Sequence, residues 1–211
     1  MNELPVYDVV LLPPAAVRDA SIAVSRQLKP LGTEFTLQAD HLYPHLSLYM
    51  LNILSGQLQE TFSRLQGIAR QTRPLQLQAS HYGHNFTEGM FEVFYHKTSE
   101  IIALQERVIA GLNPLRHGLR TKDPVGHTLA DWLPQTTGVA HHNLETYGYD
   151  EVGELFKPHI TFTRFVTRTT QVELATLPAL SQFHSIYTQL GLFEMGEHGT
   201  CTRPVAVFEL Q

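Results

Sequence analysis

The sequence predicts an α+β fold of two similar lobes, with two antiparallel sheets facing a central cleft and helices on the outside. Two observations support this prediction. A pentapeptide pattern of proline, histidine, aliphatic, hydroxyl and apolar residues occurs twice, as residues 44–48 (Pro-His-Leu-Ser-Leu) and residues 158–162 (Pro-His-Ile-Thr-Phe). In both halves, strand-like segments are interleaved with one or two helix-like segments. We therefore expect residues 1–211 to form a single domain of two pseudo-symmetric lobes, with residues 113–150 as a long insertion between the motifs.

The first half begins with residues 6–12, an apolar run that ends at two prolines and indicates a buried strand. Residues 15–28 place apolar side chains at near-helical spacing and stop at the Lys-Pro-Leu-Gly of residues 29–32, which predicts a helix. The first motif strand lies within residues 42–54. Residues 57–71 have one apolar stripe and are predicted to form an amphipathic helix.

Two further strands and a helix complete this half. Residues 75–81 alternate between apolar and polar side chains, and a glycine-containing turn leads to a second strand at residues 90–95. Ser99 can cap a helix that runs to about Leu112.

The insertion, residues 113–150, has several prolines and glycines and little periodicity. A connection of this length is usually a functional loop or contains an embedded helical segment. Between two lobes it would border the cleft. Trp132 and Tyr147 are therefore candidates for stacking on a nucleobase, with ordinary packing as the alternative.

After the second motif, residues 170–177 are predicted to be a short helix. Residues 183–193 are predicted to form a strand, followed by a turn at residues 196–199 and a closing strand at residues 204–210.

Alternation along the motif strands predicts which side chains share a face. Successive side chains in a β-strand point to opposite sides, so His45, Ser47 and Tyr49 share one face of the first strand. His159, Thr161 and Thr163 share one face of the second. If the two strands meet, they build a cleft with two imidazoles and two hydroxyls, and Tyr49 is a further candidate for stacking on a substrate.

These residue types suit the cleavage of a phosphodiester. Histidine has an ordinary pKa of about 6.5, so of two histidines one can accept a proton while the other donates one. Hydroxyls can donate hydrogen bonds to the non-bridging oxygens of a phosphate. Activation of the attacking oxygen, protonation of the leaving oxygen and stabilisation of the phosphate charge are what the reaction requires.

The paired motifs resemble those of the two-histidine (2H) phosphoesterase superfamily, which includes the bacterial RNA ligase/2′,3′-cyclic phosphodiesterase-like proteins. The second copy is similar to the C-terminal motif of that family, including Arg164 five positions after the histidine. The first copy has Met50 at the matching position. The resemblance implies that His159 activates water, that His45 protonates the leaving oxygen, and that two hydroxyls and Arg164 bind phosphate.

The phosphate-binding residues expected from the motifs are Ser47, Thr161 and Arg164. Simple alternation directs Arg164 to the apolar side of its strand, whereas a bulge or strand end would let it reach phosphate. The alternative for Arg164 is a surface ion pair.

The function predicted from these motifs is a metal-independent phosphodiesterase or cyclic phosphodiesterase acting on a nucleotide or an RNA terminus. The alternative is a non-catalytic nucleotide or cyclic-phosphate binding module on the same fold. Twelve histidines raise the question of a metal centre, but no His-Glu-x-x-His motif occurs and no glycine-rich phosphate loop is present. We therefore expect no metal and no cofactor.

Composition narrows the possible partners. The net charge of −5 argues against an extended nucleic-acid surface, which would need clustered lysine and arginine. The single cysteine, Cys201, cannot form an intrachain disulfide and fits a reducing compartment. With no long apolar run and no signal-like pattern at residues 1–5, we expect a cytoplasmic monomer that does not associate with membranes.

Overall fold

The computed structural model describes residues 5–211. The prediction that residues 1–5 lack a signal-like pattern therefore falls almost entirely on residues outside the described part of the chain. Its strands are β1 (Val6–Leu12), β2 (Leu46–Asn52), β3 (Leu75–Leu77), β4 (Ala79–Asn85), β5 (Met90–Tyr95), β6 (His159–Arg164), β7 (Ser185–Tyr187), β8 (Gln189–Met195) and β9 (Cys201–Glu209). Its helices are α1 (Ala15–Leu28), α2 (Leu58–Arg70), α3 (Ser99–Leu112), α4 (Leu129–Trp132) and α5 (Gly138–Tyr147).

The strands form antiparallel sheets. The order is β2-β1-β8-β9 in a four-stranded sheet, β4-β5-β6 in a three-stranded sheet, and β3-β7 in a small third sheet. The α+β class predicted from the sequence is confirmed. The two motif strands are both edge strands, β2 of the larger sheet and β6 of the smaller, and they lie close to each other.

The apolar sides of the motif strands enter one continuous core. Leu46 and Leu48 of β2 and Ile160 and Phe162 of β6 are completely buried and belong to the same hydrophobic cluster. Complete burial of such a side chain stabilises the fold by about 1.5–3 kcal/mol. Because the two strands share this core, its packing holds the two motifs next to each other.

Each motif strand contains a bulge directly after the motif hydroxyl. One extra residue, Leu48 in β2 and Phe162 in β6, is inserted relative to the neighbouring strand. The alternation ends there, so Tyr49 and Thr163 turn into the core and have no exposed surface. The buried side chain of Gln105 in α3 donates a hydrogen bond to the Leu48 carbonyl at 3.1 Å, which pairs that oxygen.

Several boundaries differ from those predicted. The cap of α3 is Thr98 rather than Ser99, because the Thr98 hydroxyl accepts a hydrogen bond from the Ile101 amide. The helix expected at residues 170–177 is only a short 3-10 turn at Leu174–Thr176. The insertion contains α4 and α5. None of the helices in residues 5–211 combines the length and the apolar character needed to cross a lipid bilayer.

Candidate active site

A cleft of about 400 Å³ brings the two motifs together. Its lining includes His45 and Ser47 from the first motif and His159 and Thr161 from the second. The four polar side chains that alternation assigns to two separate strands therefore face one space.

The first half-site is built on a carboxylate of the neighbouring strand. His45 Nδ1 lies 2.7 Å from the Tyr43 carbonyl oxygen, so the Nδ1–H donates to it and Nε2 is left for chemistry. This Nε2 lies 3.7 Å from Asp8 Oδ2. Ser47 Oγ donates to the same Asp8 oxygen at 2.6 Å.

The second half-site repeats this arrangement with different residues. His159 Nδ1 lies 2.6 Å from the Lys157 carbonyl oxygen, and its Nε2 lies 3.4 Å from Glu92 Oε1. Thr161 Oγ1 donates to that Glu92 oxygen at 2.9 Å. In both halves the histidine bonds to the carbonyl two residues earlier, and the hydroxyl shares one carboxylate oxygen with the imidazole.

Burial strongly affects the first half-site. The Asp8 side chain is 0% exposed. Burial raises the pKa of Asp8 to about 8, although the Ser47 hydrogen bond and the positive charge of Arg120 oppose the shift. Burial also lowers the pKa of His45 to about 4, and the positive charge of His159 adds to this effect.

At the second half-site, nearby negative charge outweighs the effect of burial on the histidine pKa. Burial is the largest single effect on His159 and lowers its pKa, but the negative charges of Glu92 and Glu151 and the Lys157 carbonyl together outweigh it. The net result is a raised pKa for His159. The carboxylates beside this imidazole therefore favour its protonated form, in contrast to His45.

The charged side chains of the cleft lining are predominantly acidic. Among the residues that the structure describes, Lys157 is its only lysine or arginine, whereas its carboxylates are Glu88, Glu92, Asp123, Asp150 and Glu151. Two more histidines, His84 and His198, also line it. This charge distribution favours a ligand with few negative charges over an extended polyanion.

One of the three predicted stacking residues reaches the cleft. Trp132 lines it and is half-buried. The prediction for Tyr49 is wrong, because the bulge places the ring in the core, where its hydroxyl donates to the Tyr147 carbonyl at 2.8 Å. The side chain of Tyr147 does not line the cleft either and packs against the core. Phe94, which the sequence analysis did not select, lines the cleft with its ring centroid 5.6 Å from that of His159.

Arg164 does not line the cleft, so the predicted direct phosphate contact is corrected. Its Nε donates to the Glu88 carbonyl at 2.8 Å, and its Nη1 lies 3.3 Å from Glu34 Oε2. The same Nη1 lies 3.2 Å from Nδ1 of His198, which does line the cleft. Arg164 is thus engaged in a nearly buried ion pair behind the site.

Sequence reasoning missed the two carboxylates that hold the motif side chains. Asp8 and Glu92 each stand as the single charged residue of an otherwise apolar or aromatic strand, Val-Tyr-Asp-Val-Val-Leu-Leu in β1 and Met-Phe-Glu-Val-Phe-Tyr in β5. A lone acid in a strand whose neighbours predict burial requires a partner. This signal is present in the sequence and, applied to both strands, marks both residues.

Comparison with solved structures shows which known fold this is. The chain matches the crystal structure of E. coli LigT complexed with phosphate with a TM-score of 0.61 over 100% of this chain and 99% of that one, at 15% sequence identity. The chain has the LigT fold. The protein TT0787 of Thermus thermophilus matches with a TM-score of 0.63 over 97% of each chain at 18% identity. A structure described as a phosphoesterase matches with a TM-score of 0.61 over 98% of this chain and 99% of that one, at 16% identity.

The structural likeness confirms the fold expected from the paired motifs. E. coli LigT has also been crystallised with 3′-AMP, with NADP+ and with ATP, and these complexes match this chain at 14–17% identity. No family model matches the sequence, and no curated protein does. Because identity is so low, the LigT fold is what these comparisons establish, and the chemistry has to be argued from the residues of the cleft.

Proposed function

We propose that this protein is a metal-independent phosphodiesterase that opens cyclic or terminal phosphodiesters of nucleotides or RNA ends by acid–base catalysis between His45 and His159. The observation that carries the proposal is the pair of matching half-sites in one cleft. Each presents an Nε2 and a hydroxyl, and each is held by a carboxylate and a backbone carbonyl. Two imidazoles supply both proton transfers without a metal-bound water.

The carboxylates beside His159 favour an assignment of roles opposite to the one implied by the family resemblance. With Glu92 Oε1 at 3.4 Å and Glu151 also contributing negative charge, His159 is the histidine favoured in its protonated form, which is the form that an acid needs before the reaction. His159 therefore acts as the acid and His45 as the base. Because the Nδ1–H of His45 is engaged by the Tyr43 carbonyl, its Nε2 carries the lone pair that the base requires.

The reaction then balances as follows. A water oxygen attacks phosphorus, and its proton passes to His45 Nε2 as the new P–O bond forms. The bond from phosphorus to the leaving oxygen breaks, and that oxygen takes the proton from His159 Nε2. Return of one proton from His45 and uptake of one by His159 through solvent restore the starting state.

The hydroxyls and the cleft lining account for binding. Ser47 and Thr161 lie two residues after the histidines and can turn their protons to the non-bridging oxygens, while Trp132 offers a ring for a base. The acidic lining favours a substrate with one phosphodiester over one with many phosphates.

The test is hydrolysis of a panel of 2′,3′-cyclic nucleotides in EDTA by wild type, His159→Ala and His45→Ala. We expect turnover by wild type that both substitutions nearly abolish. Dependence of the wild-type rate on an added divalent metal would contradict the mechanism. Saturable binding of the cyclic nucleotides without turnover at any pH would instead favour the binding-module alternative.

A further inference from the structure

Three potential metal ligands meet beside the first half-site. One ligand atom each from Asp8, His45 and Cys201 all lie within 4.8 Å of one another. Asp8 and Cys201 are completely buried, and His45 connects the cluster to the cleft. The three residues come from β1, from the segment before β2 and from the start of β9, so no spacing in the sequence reveals them.

The sheet holds this cluster together. Tyr43, two residues before His45, pairs with Cys201 in an isolated antiparallel bridge, and its amide donates to the Cys201 carbonyl at 2.9 Å. β1 lies between β2 and β8, and β8 pairs with β9. The donors are therefore fixed by one sheet and by the Tyr43–Cys201 bridge before any ion binds, which lowers the entropic cost of binding.

The donor atoms are available to an ion. The Nδ1–H of His45 is engaged by a carbonyl, which leaves Nε2 with its lone pair. Asp8 Oδ1 is buried and has no hydrogen-bond partner among the described residues. Cys201 is a free thiol. A buried oxygen without a partner is unfavourable for the fold, and a cation bound by the Asp8 carboxylate would compensate for it.

The set of donors selects the kind of ion. One imidazole nitrogen, one thiolate sulfur and one carboxylate oxygen are ligands of Zn²⁺, whereas Mg²⁺ and Ca²⁺ prefer oxygen ligands. We infer that Asp8, His45 and Cys201 form a site for Zn²⁺ or a similar thiophilic divalent ion, and that the bound ion inhibits the enzyme. Binding replaces the thiol proton of Cys201, and any proton on Asp8, by metal–ligand bonds and releases these protons to solvent.

Inhibition follows from the atom that the ion uses. His45 Nε2 is the lone pair that the proposed mechanism needs to accept a proton from water, and it is no longer available once coordinated. This second part of the inference rests on the proposed function, while the metal site itself does not.

The site is tested by titrating the full chain with Co²⁺, which reports thiolate coordination through a charge-transfer band in the near ultraviolet. Because Cys201 is the only cysteine in the sequence, such a band identifies its ligand without ambiguity. We expect one equivalent of Co²⁺ to produce the band, added Zn²⁺ to remove it, and Cys201→Ser to abolish it.

The other two ligands are tested by Asp8→Asn and His45→Ala. Loss of residues that only support a metal ligand costs about 10–100-fold in affinity, so loss of a ligand should weaken Co²⁺ binding at least that much. His84→Ala, which alters a cleft histidine outside the cluster, is the matched control and should bind Co²⁺ like wild type. A wild-type protein without the band at saturating Co²⁺, or a band equally strong in Asp8→Asn and His45→Ala, would overturn the site.

The inhibition is tested separately with Zn²⁺ in the cyclic-nucleotide assay. We expect Zn²⁺ to silence wild type, and Cys201→Ser to keep the EDTA rate and resist the ion. Equal inhibition of wild type and Cys201→Ser would refute the inhibitory role. The cobalt band needs no turnover, so failure of the proposed function and failure of the metal site give different results.

Discussion

The two half-sites have the same hydrogen-bond pattern but different surroundings. At the first, the side chains of His45 and Asp8 are 12% and 0% exposed; at the second, those of His159 and Glu92 are 20% and 11% exposed. Desolvation dominates at the first half-site and lowers the pKa of His45, whereas the nearby carboxylates and the Lys157 carbonyl together outweigh it at the second and raise the pKa of His159.

This difference shows that a repeated motif does not produce two equivalent residues. The depth of the partner carboxylate and the number of further carboxylates nearby decide whether an imidazole prefers its neutral or its charged form. A duplicated strand can therefore supply an acid from one copy and a base from the other, as acid–base cleavage of a phosphodiester requires.

The largest expected effect comes from removing either imidazole. His45→Ala and His159→Ala should each lower kcat/KM for a 2′,3′-cyclic nucleotide by about 10²–10⁴-fold, because each removes one proton transfer. His142→Ala, an exposed histidine on α5 that does not line the cleft, should match wild type. A loss below about tenfold in either cleft variant would mean that the half-sites do not divide the proton transfers.

The second largest loss of activity is expected from removing the hydroxyl groups of Ser47 and Thr161. Ser47→Ala and Thr161→Ala each remove one hydrogen bond to a charged phosphate, worth about 1.5–3 kcal/mol, which corresponds to about 10–150-fold in kcat/KM. Steady-state kinetics on the same substrate measures both. If one substitution had no effect, only the other half-site would bind the phosphate.

Trp132 provides a smaller effect outside the two half-sites. Stacking of one base on an aromatic ring is worth about 1–3 kcal/mol, so Trp132→Ala should raise KM for cyclic nucleotides with little change in kcat. Trp132→Phe should restore most of the binding. A fall in kcat at constant KM would place the ring in the chemistry instead.

The smallest effect at neutral pH is expected from Glu92→Gln, which tests the charge difference directly. The raised pKa of His159 means that the acid stays protonated above its ordinary pH range, and activity falls as pH rises through this raised pKa. Removing the Glu92 charge should move this alkaline limb to lower pH. The pH dependence of kcat/KM measures it.

Glu88→Gln is the matched control for that experiment, since Glu88 also lines the cleft but is not among the groups with the largest effects on the His159 pKa. Its alkaline limb should coincide with that of wild type. Equal movement in both variants would show a general effect of cleft charge rather than a specific one of the second half-site.

Local pattern predicted much of the fold and the part of the site that alternation controls. The ranges of β1, α1 and β5 agree with the prediction, and the histidines and hydroxyls face one cleft as alternation requires. Prediction failed one residue beyond each hydroxyl. Residues 45–49 and 159–163 keep a regular apolar–polar alternation through the bulged positions. The bulges that redirect Tyr49 and Thr163 therefore cannot be read from the sequence.

Other failures come from partners that are distant in sequence. Arg164 pairs with Glu34, which lies in a different segment of the chain, and no local pattern indicates that contact. Asp8 and Glu92 also contact residues that are distant in sequence, but their importance could have been predicted. A single acidic residue in an apolar strand is a local signal of a buried partner.

The placement of both motifs on edge strands has a consequence for solubility. An edge strand exposes unpaired backbone groups that can pair with another molecule and start aggregation. β2 and β6 lie close to each other, so each helps to shield the free edge of the other from intermolecular pairing. Substitutions that loosen the packing between these strands would thus show themselves first as precipitating protein, before any change in chemistry could be measured.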